Sequence, residues 1–237
     1  MRIGLVSYFC ENKNIAFNLK QIGRALEESA GKADLLCFGE AYLQGFDSLC
    51  WDYEADKEMA VSQDSAVFDR QRDLMLRTGT ELLFGYIERD GDRLYSSYAV
   101  LADGEIVHNY RRISKGWKEF DKTDGHYCEG NETGGFRLRG LEMSISLCGD
   151  LWDAPERFRT EHLLIWPVYV NYSVEDWEDG VLEEYAAQAA LAARDVLIIN
   201  PLDRDPVNHG GSFRFREGKV TERTAFDEER ILIVETE

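Results

Sequence analysis

The chain has 237 residues, 44% of them apolar and 30% charged, which suits one sizeable hydrophobic core. Its 45 acidic residues outweigh 27 basic ones for a net charge of −18, which argues against nucleic acid and anionic membrane surfaces as partners. No apolar run approaches the ~18 residues of a membrane span, and the opening stretch MRIGLVSYFC reads as a buried strand, not a signal peptide.

Residues 2–9 predict a strand. Asn12-Lys13-Asn14 starts a helix in which Ile15, Leu19, Ile22 and Leu26 share one face, and Gly31 stops it. Leu35–Phe38 is a short buried strand ending at Gly39-Glu40. Residues 62–78 predict a helix, followed by strands over 81–88, 94–101 and 105–112. Asp90-Gly91-Asp92 and Ala102-Asp103-Gly104 turn between those strands, because Gly accepts positive φ. Residues 113–133 have no period. Strands are expected at 135–139, 142–147, 163–168, 196–200, 212–216 and 230–235, and helices at 154–162 and 178–194. Neither a repeat nor a Pro/Gly/Ser linker divides the chain, so one mixed α/β domain over 1–237 is expected. Hairpins interrupt the alternation of helix and strand, which suits sheets packed face to face with helices outside.

The five cysteines, at 10, 37, 50, 128 and 148, are odd in number and form no C-x-x-C pair. The four histidines are scattered. The expectation is a reduced, cytoplasmic protein without a structural metal.

Polar residues punctuate the strand ends. Glu40 follows LLCF, Cys148 follows MSISL, and Lys115 sits in RRISKGWKEFDKTDGHYCEG. Taken alone, Cys148 reads more readily as a small buried hydrophobe than as a nucleophile. Glu, Lys and Cys together suit acyl transfer at a carbon–nitrogen bond. A thiolate attacks carbon, a carboxylate manages protons, and an ammonium with a backbone N–H holds the oxyanion. Gly149 would supply that N–H.

Six segments in order then resemble the nitrilase, or carbon–nitrogen hydrolase, superfamily. They are MRIGLVS, ADLLCFGEAYLQGFD, DGEIVHNYRR, HYCEG, LCGDLWD, and IINPL with HGGSFRFREGKV. CGDLW is similar to the glutaminase domains of glutamine-dependent NAD synthetases. The resemblance implies a four-layer αββα sandwich and a Glu–Lys–Cys triad. Carried onto this sequence, Glu40 is the base and Cys148 the nucleophile. The position of the family's lysine is Arg112, so Lys115 is taken for the third member, with Lys118 and Arg112 as alternatives. Glu119 and Asp124 are candidates for a second acid that orients the base, and Asp150 for loop structure. Trp117 and Trp152 are candidate substrate-binding residues. The implied activity is hydrolysis of a small amide through a thioester, without metal or cofactor. Pairing of two copies through 154–163 and 178–194 is also implied. The alternatives are a nitrile or carbamoyl hydrolase, and a non-catalytic binding protein on the same fold.

Overall fold

A computed structural model describes residues 1–236. Fourteen strands are formed among these residues, twelve of them in two six-stranded sheets. The first sheet holds β1 (Arg2–Ser7), β2 (Leu35–Cys37), β3 (Glu81–Asp90), β4 (Arg93–Ala102), β5 (Glu105–Arg111) and β14 (Arg230–Glu235), in the order β14-β1-β2-β3-β4-β5. The second holds β6 (Gly135–Leu138), β7 (Leu141–Ile145), β8 (Leu163–Pro167), β9 (Asp195–Ile199), β12 (Phe213–Arg216) and β13 (Lys219–Arg223), in the order β13-β12-β9-β8-β7-β6. In each sheet the central strands run parallel, β1-β2-β3 in one and β7-β8-β9 in the other. Parallel strands covered on both faces explain why LLC, LLIWP and VLII are apolar throughout. A separate hairpin pairs β10 (Leu202–Arg204) with β11 (Val207–His209).

Apolar side chains decide the layering. Leu5, Leu35, Leu83, Tyr98 and Val100 of the first sheet share a core with Met143, Ile145, Leu164 and Ile198 of the second. The other face of the first sheet is covered by α1 (Ile15–Ser29), with Ile22 and Leu26, and α3 (Asp69–Thr78), with Leu74 and Met75. On the far side of the second sheet lie α4 (Asp150–Asp153), α5 (Val174–Asp176) and α6 (Leu182–Ala190). Tyr185, Ala186 and Ala189 of α6 join the same core. The expected αββα sandwich is the fold.

Several boundaries differ from expectation. In place of a helix over 154–162 there is α4 and then a 3-10 turn, Pro155–Phe158. Pro155 disfavours helical geometry in the residue before it, and Ala154 is non-helical, with φ −152° and ψ 59°. The helix expected from residue 62 begins at Asp69, after a 3-10 turn capped by the Ser65 side chain. The helix expected over 178–194 starts earlier. A capping box at Ser173 and Asp176 opens it, and a π-turn over Trp177–Val181 leads into α6. The sequence reading missed α2 (Tyr53–Met59), β10, β11 and β13.

Candidate active site

Cys148 stands at a sharp turn between β7 and α4. Its φ is +41°, a left-handed conformation that a non-glycine residue adopts at a cost. Bonds on both sides hold it there. Cys148 N donates to Pro167 O at 2.9 Å, and Trp166 Nε1 donates to Cys148 O at 2.8 Å. The N–H of the next residue, Gly149, has no protein acceptor among the described residues.

Glu40 follows β2 on a segment that crosses β3. Gly85 allows the crossing: a Cβ there would collide with Ala41 N and Gly39 O. Gly39 has no room for a side chain either, since its Cβ would lie 2.5 Å from Pro201 Cδ. Ala41 is left-handed too, with φ +47°. The Glu40 carboxylate is buried. Oε1 accepts from Ser96 Oγ at 3.1 Å and from Arg112 Nη1 at 2.7 Å, and Oε2 has no hydrogen-bond partner.

Arg112 follows β5. Strand alternation sends its neighbour Arg111 the other way, to Glu88 and Asp90, while Arg112 turns to Glu40. Each guanidinium nitrogen has a distinct situation. Nη1 meets Glu40, and Nε donates to Ser114 Oγ at 2.7 Å. Nη2 has no protein acceptor among the described residues and lies between two glycines. A Cβ on Gly149 would come within 2.5 Å of it, and one on Gly116 within 3.4 Å.

Asp150 joins the two segments. Its Oδ1 accepts from Ile113 N and Ser114 N, at 3.1 and 2.7 Å. Its Oδ2 accepts from Leu147 N and Tyr110 OH, at 2.8 and 2.6 Å. One buried carboxylate thus fixes the turn bearing Cys148 against the strand end bearing Arg112.

Charge follows from this packing. Burial is the first cause that pushes the Cys148 thiol up to about 12, the Glu40 anion adds to it, and Arg112 partly offsets both. At neutral pH Cys148 therefore rests as the thiol. Burial opposes the Arg112 charge, but Glu40 leads the groups that outweigh it, so the guanidinium stays ionised. A protonated thiol, a carboxylate with a free oxygen and a fixed cation make an arrangement able to perform acyl transfer.

The sequence-derived residues divide. Glu40, Arg112, Cys148 and Gly149 come together. Lys115 does not join them: it is exposed, with Nζ 5.9 Å from the Phe120 ring centre. The register shift that would have delivered it does not occur, because β5 stays paired through Arg111 and Arg112 N donates to Ser96 O. Lys118 pairs with Glu129 at 2.6 Å and donates to Tyr127 O. Glu119 is exposed beside Lys122, and Asp124 is exposed beside His126. Trp117 is buried with Tyr127 and Ala41, its Nε1 unpartnered. Trp152 is 41% exposed and packs edge-on against Tyr185 of α6. Sequence reasoning missed Ser96 and Ser114. The polar pair Ser96-Ser97 inside the apolar run of β4 was the available signal for Ser96.

A model of the family described as Carbon-nitrogen hydrolase matches residues 7–194. A glutamine-dependent NAD(+) synthetase of Thermotoga maritima is 27% identical over 144 residues, 59% of this chain and 24% of that protein. A hydrolase from the pqqF 5′ region of Pseudomonas protegens is 32% identical over 116 residues, 47% of this chain and 39% of that protein. The chain thus spans well under half the length of these curated relatives. Among solved structures, a CN-hydrolase superfamily protein of Xanthomonas campestris, with an arsenic adduct in its active site, superposes with a TM-score of 0.79. It is 18% identical, over 99% of this chain and 89% of that one. A mutant of an amidase of the nitrilase superfamily from Nesterenkonia AN1 gives 0.79 at 20% identity, over 99% and 89%.

Proposed function

Since this chain belongs to the carbon–nitrogen hydrolase family, we propose that it hydrolyses the C–N bond of a small amide through a thioester on Cys148. The thiol proton passes to Glu40 Oε2 as sulfur bonds to the carbonyl carbon. The oxygen that gains charge is held by Gly149 N–H and Arg112 Nη2. Collapse breaks the C–N bond, and Glu40 returns the proton to the departing amine. Glu40 then takes a proton from water, the hydroxide attacks the thioester, and the C–S bond breaks to restore the thiol. Arg112 stays charged throughout, so every proton travels through Glu40. These steps call for no metal or cofactor.

The observation that carries this reading is the Arg112 fork, with Nη1 on Glu40 and Nη2 against Gly149 beside the strained Cys148 turn. The test is ammonia release from small amides, carbamoyl compounds and nitriles, beside Cys148→Ala. Release from amides that vanishes in the variant supports the reading. Release only from nitriles or carbamoyl compounds moves it to those substrates. A second reading, a binding protein without turnover, is favoured by one observation: a guanidinium occupies the place where the family carries an ammonium. Retention of amides without release would establish it. The exposed Trp152 and Leu191 near α4 and α6 support pairing of two copies there, which light scattering after gel filtration tests.

A further inference from the structure

A guanidinium held by one nitrogen can still swing about that contact. Held by two, its plane is defined. Arg112 is held at Nη1 by Glu40 and at Nε by Ser114, which leaves Nη2 aimed along one direction, beside Gly149. Ser114 is only 4% exposed. Its own N–H is tied to Asp150 Oδ1 at 2.7 Å, and Asp150 Oδ2 also takes Leu147 N from the Cys148 turn. The second hold is therefore referenced to the nucleophile's own loop.

We propose that Ser114 is a positioning residue, which orients the Arg112 guanidinium so that Nη2 faces the oxygen of a group bound to Cys148. The proposal rests on the hydrolase reading for its turnover readout alone. An ammonium carries one nitrogen and needs no such second hold, so the role of Ser114 follows from the arginine at 112.

The test pairs turnover with a probe that needs none. Propionaldehyde reacts reversibly with a thiol: sulfur bonds to the aldehyde carbon, the C=O π bond opens, and the thiol proton ends on the oxygen. That oxygen would sit where Nη2 and Gly149 N–H converge, and the adduct blocks iodoacetamide. Protection of Cys148 by propionaldehyde is measured in the native chain, Ser114→Ala and Ser114→Thr, with kcat and KM on any amide turned over. Losing an oxyanion donor costs on the order of 100-fold, so losing only its orientation is expected to cost on the order of tenfold. In Ser114→Ala that loss should appear in kcat and in aldehyde protection. KM and the rate of alkylation without aldehyde should hold. Ser114→Thr, which keeps the hydroxyl, should restore most of both.

Unchanged kcat and protection in Ser114→Ala would overturn the proposal. So would a folded Ser114→Thr as poor as Ser114→Ala, or an equal fall in plain alkylation. A native chain that alkylates but is not protected by aldehyde would overturn it too. If Ser114→Thr does not fold, the split between kcat and alkylation in Ser114→Ala decides. If no amide is turned over, the hydrolase reading fails and aldehyde protection still decides the role of Ser114.

Discussion

Arg112 and Glu40 form an ion pair at 2.7 Å with side chains 3% and 0% exposed. The pair fixes the Glu40 side chain and leaves one carboxylate oxygen free. It also places opposing charges on the Cys148 thiol, the anion raising its pKa and the cation lowering it.

Glu40→Gln removes the raising charge and leaves Arg112 in place. The thiol pKa should then move down from about 12 while turnover is lost. The rate of iodoacetamide alkylation against pH reports this. An inflection at the native position, or above it, contradicts the electrostatic account.

Arg112→Ala strips the cation from a buried carboxylate. Breaking such a pair costs about 3–5 kcal/mol, so urea denaturation should show a large loss of stability. Arg112→Ala with native stability would contradict a stabilising role for the pair.

Gly149→Ala places a methyl group 2.5 Å from Arg112 Nη2 and 3.2 Å from Ser114 Oγ. Overpacking of this kind costs about 1–3 kcal/mol. The guanidinium must turn away, so kcat should fall while KM changes little. Steady-state kinetics that match the native chain would show that Nη2 has no part in turnover.

Alkaline pH should destabilise the fold in part through Cys148. Its pKa is raised in the folded chain from 9.0 to about 12. Below the unfolded value both states hold the proton and the contribution is complete. As pH climbs through that window the unfolded chain releases the proton, the folded chain does not, and stability falls. Buried Cys37 and Tyr98 are raised too and act in the same sense. Urea midpoints at about pH 8 and about pH 10 should therefore converge more closely in Cys148→Ala than in the native chain. An equal separation would refute a role for this thiol.

Legibility in the sequence followed the strength of local signals. The apolar runs at β2, β8 and β9 and the Gly turns around β4 marked their elements well, because burial and positive φ leave direct traces in composition. Short elements such as the three-residue β10 and β11 leave none. Glu40 and Cys148 stood at the ends of recognisable strands, so position alone raised them. Arg112 was harder. Its role depends on β5 staying paired with β4 to its last residue, on the far side of a bulge at Val100/Leu101, and on space left by Gly116 and Gly149, which lie far apart in the chain. Ser114 carried no signal, because its meaning comes only from the arginine it holds. Lys115 was favoured for its charge, whereas packing turned it outward to Phe120.

The crowding between Arg112 and Gly149 also imposes an order on substitution. A lysine at 112 has no Nη2, so the 2.5 Å conflict at 149 disappears and only the 3.2 Å approach to Ser114 Oγ remains for the side chain that follows there. The reverse order forces a side chain into space the guanidinium already fills. Moving from this arginine to a lysine is thus less obstructed with 112 changed before 149 than with 149 changed before 112.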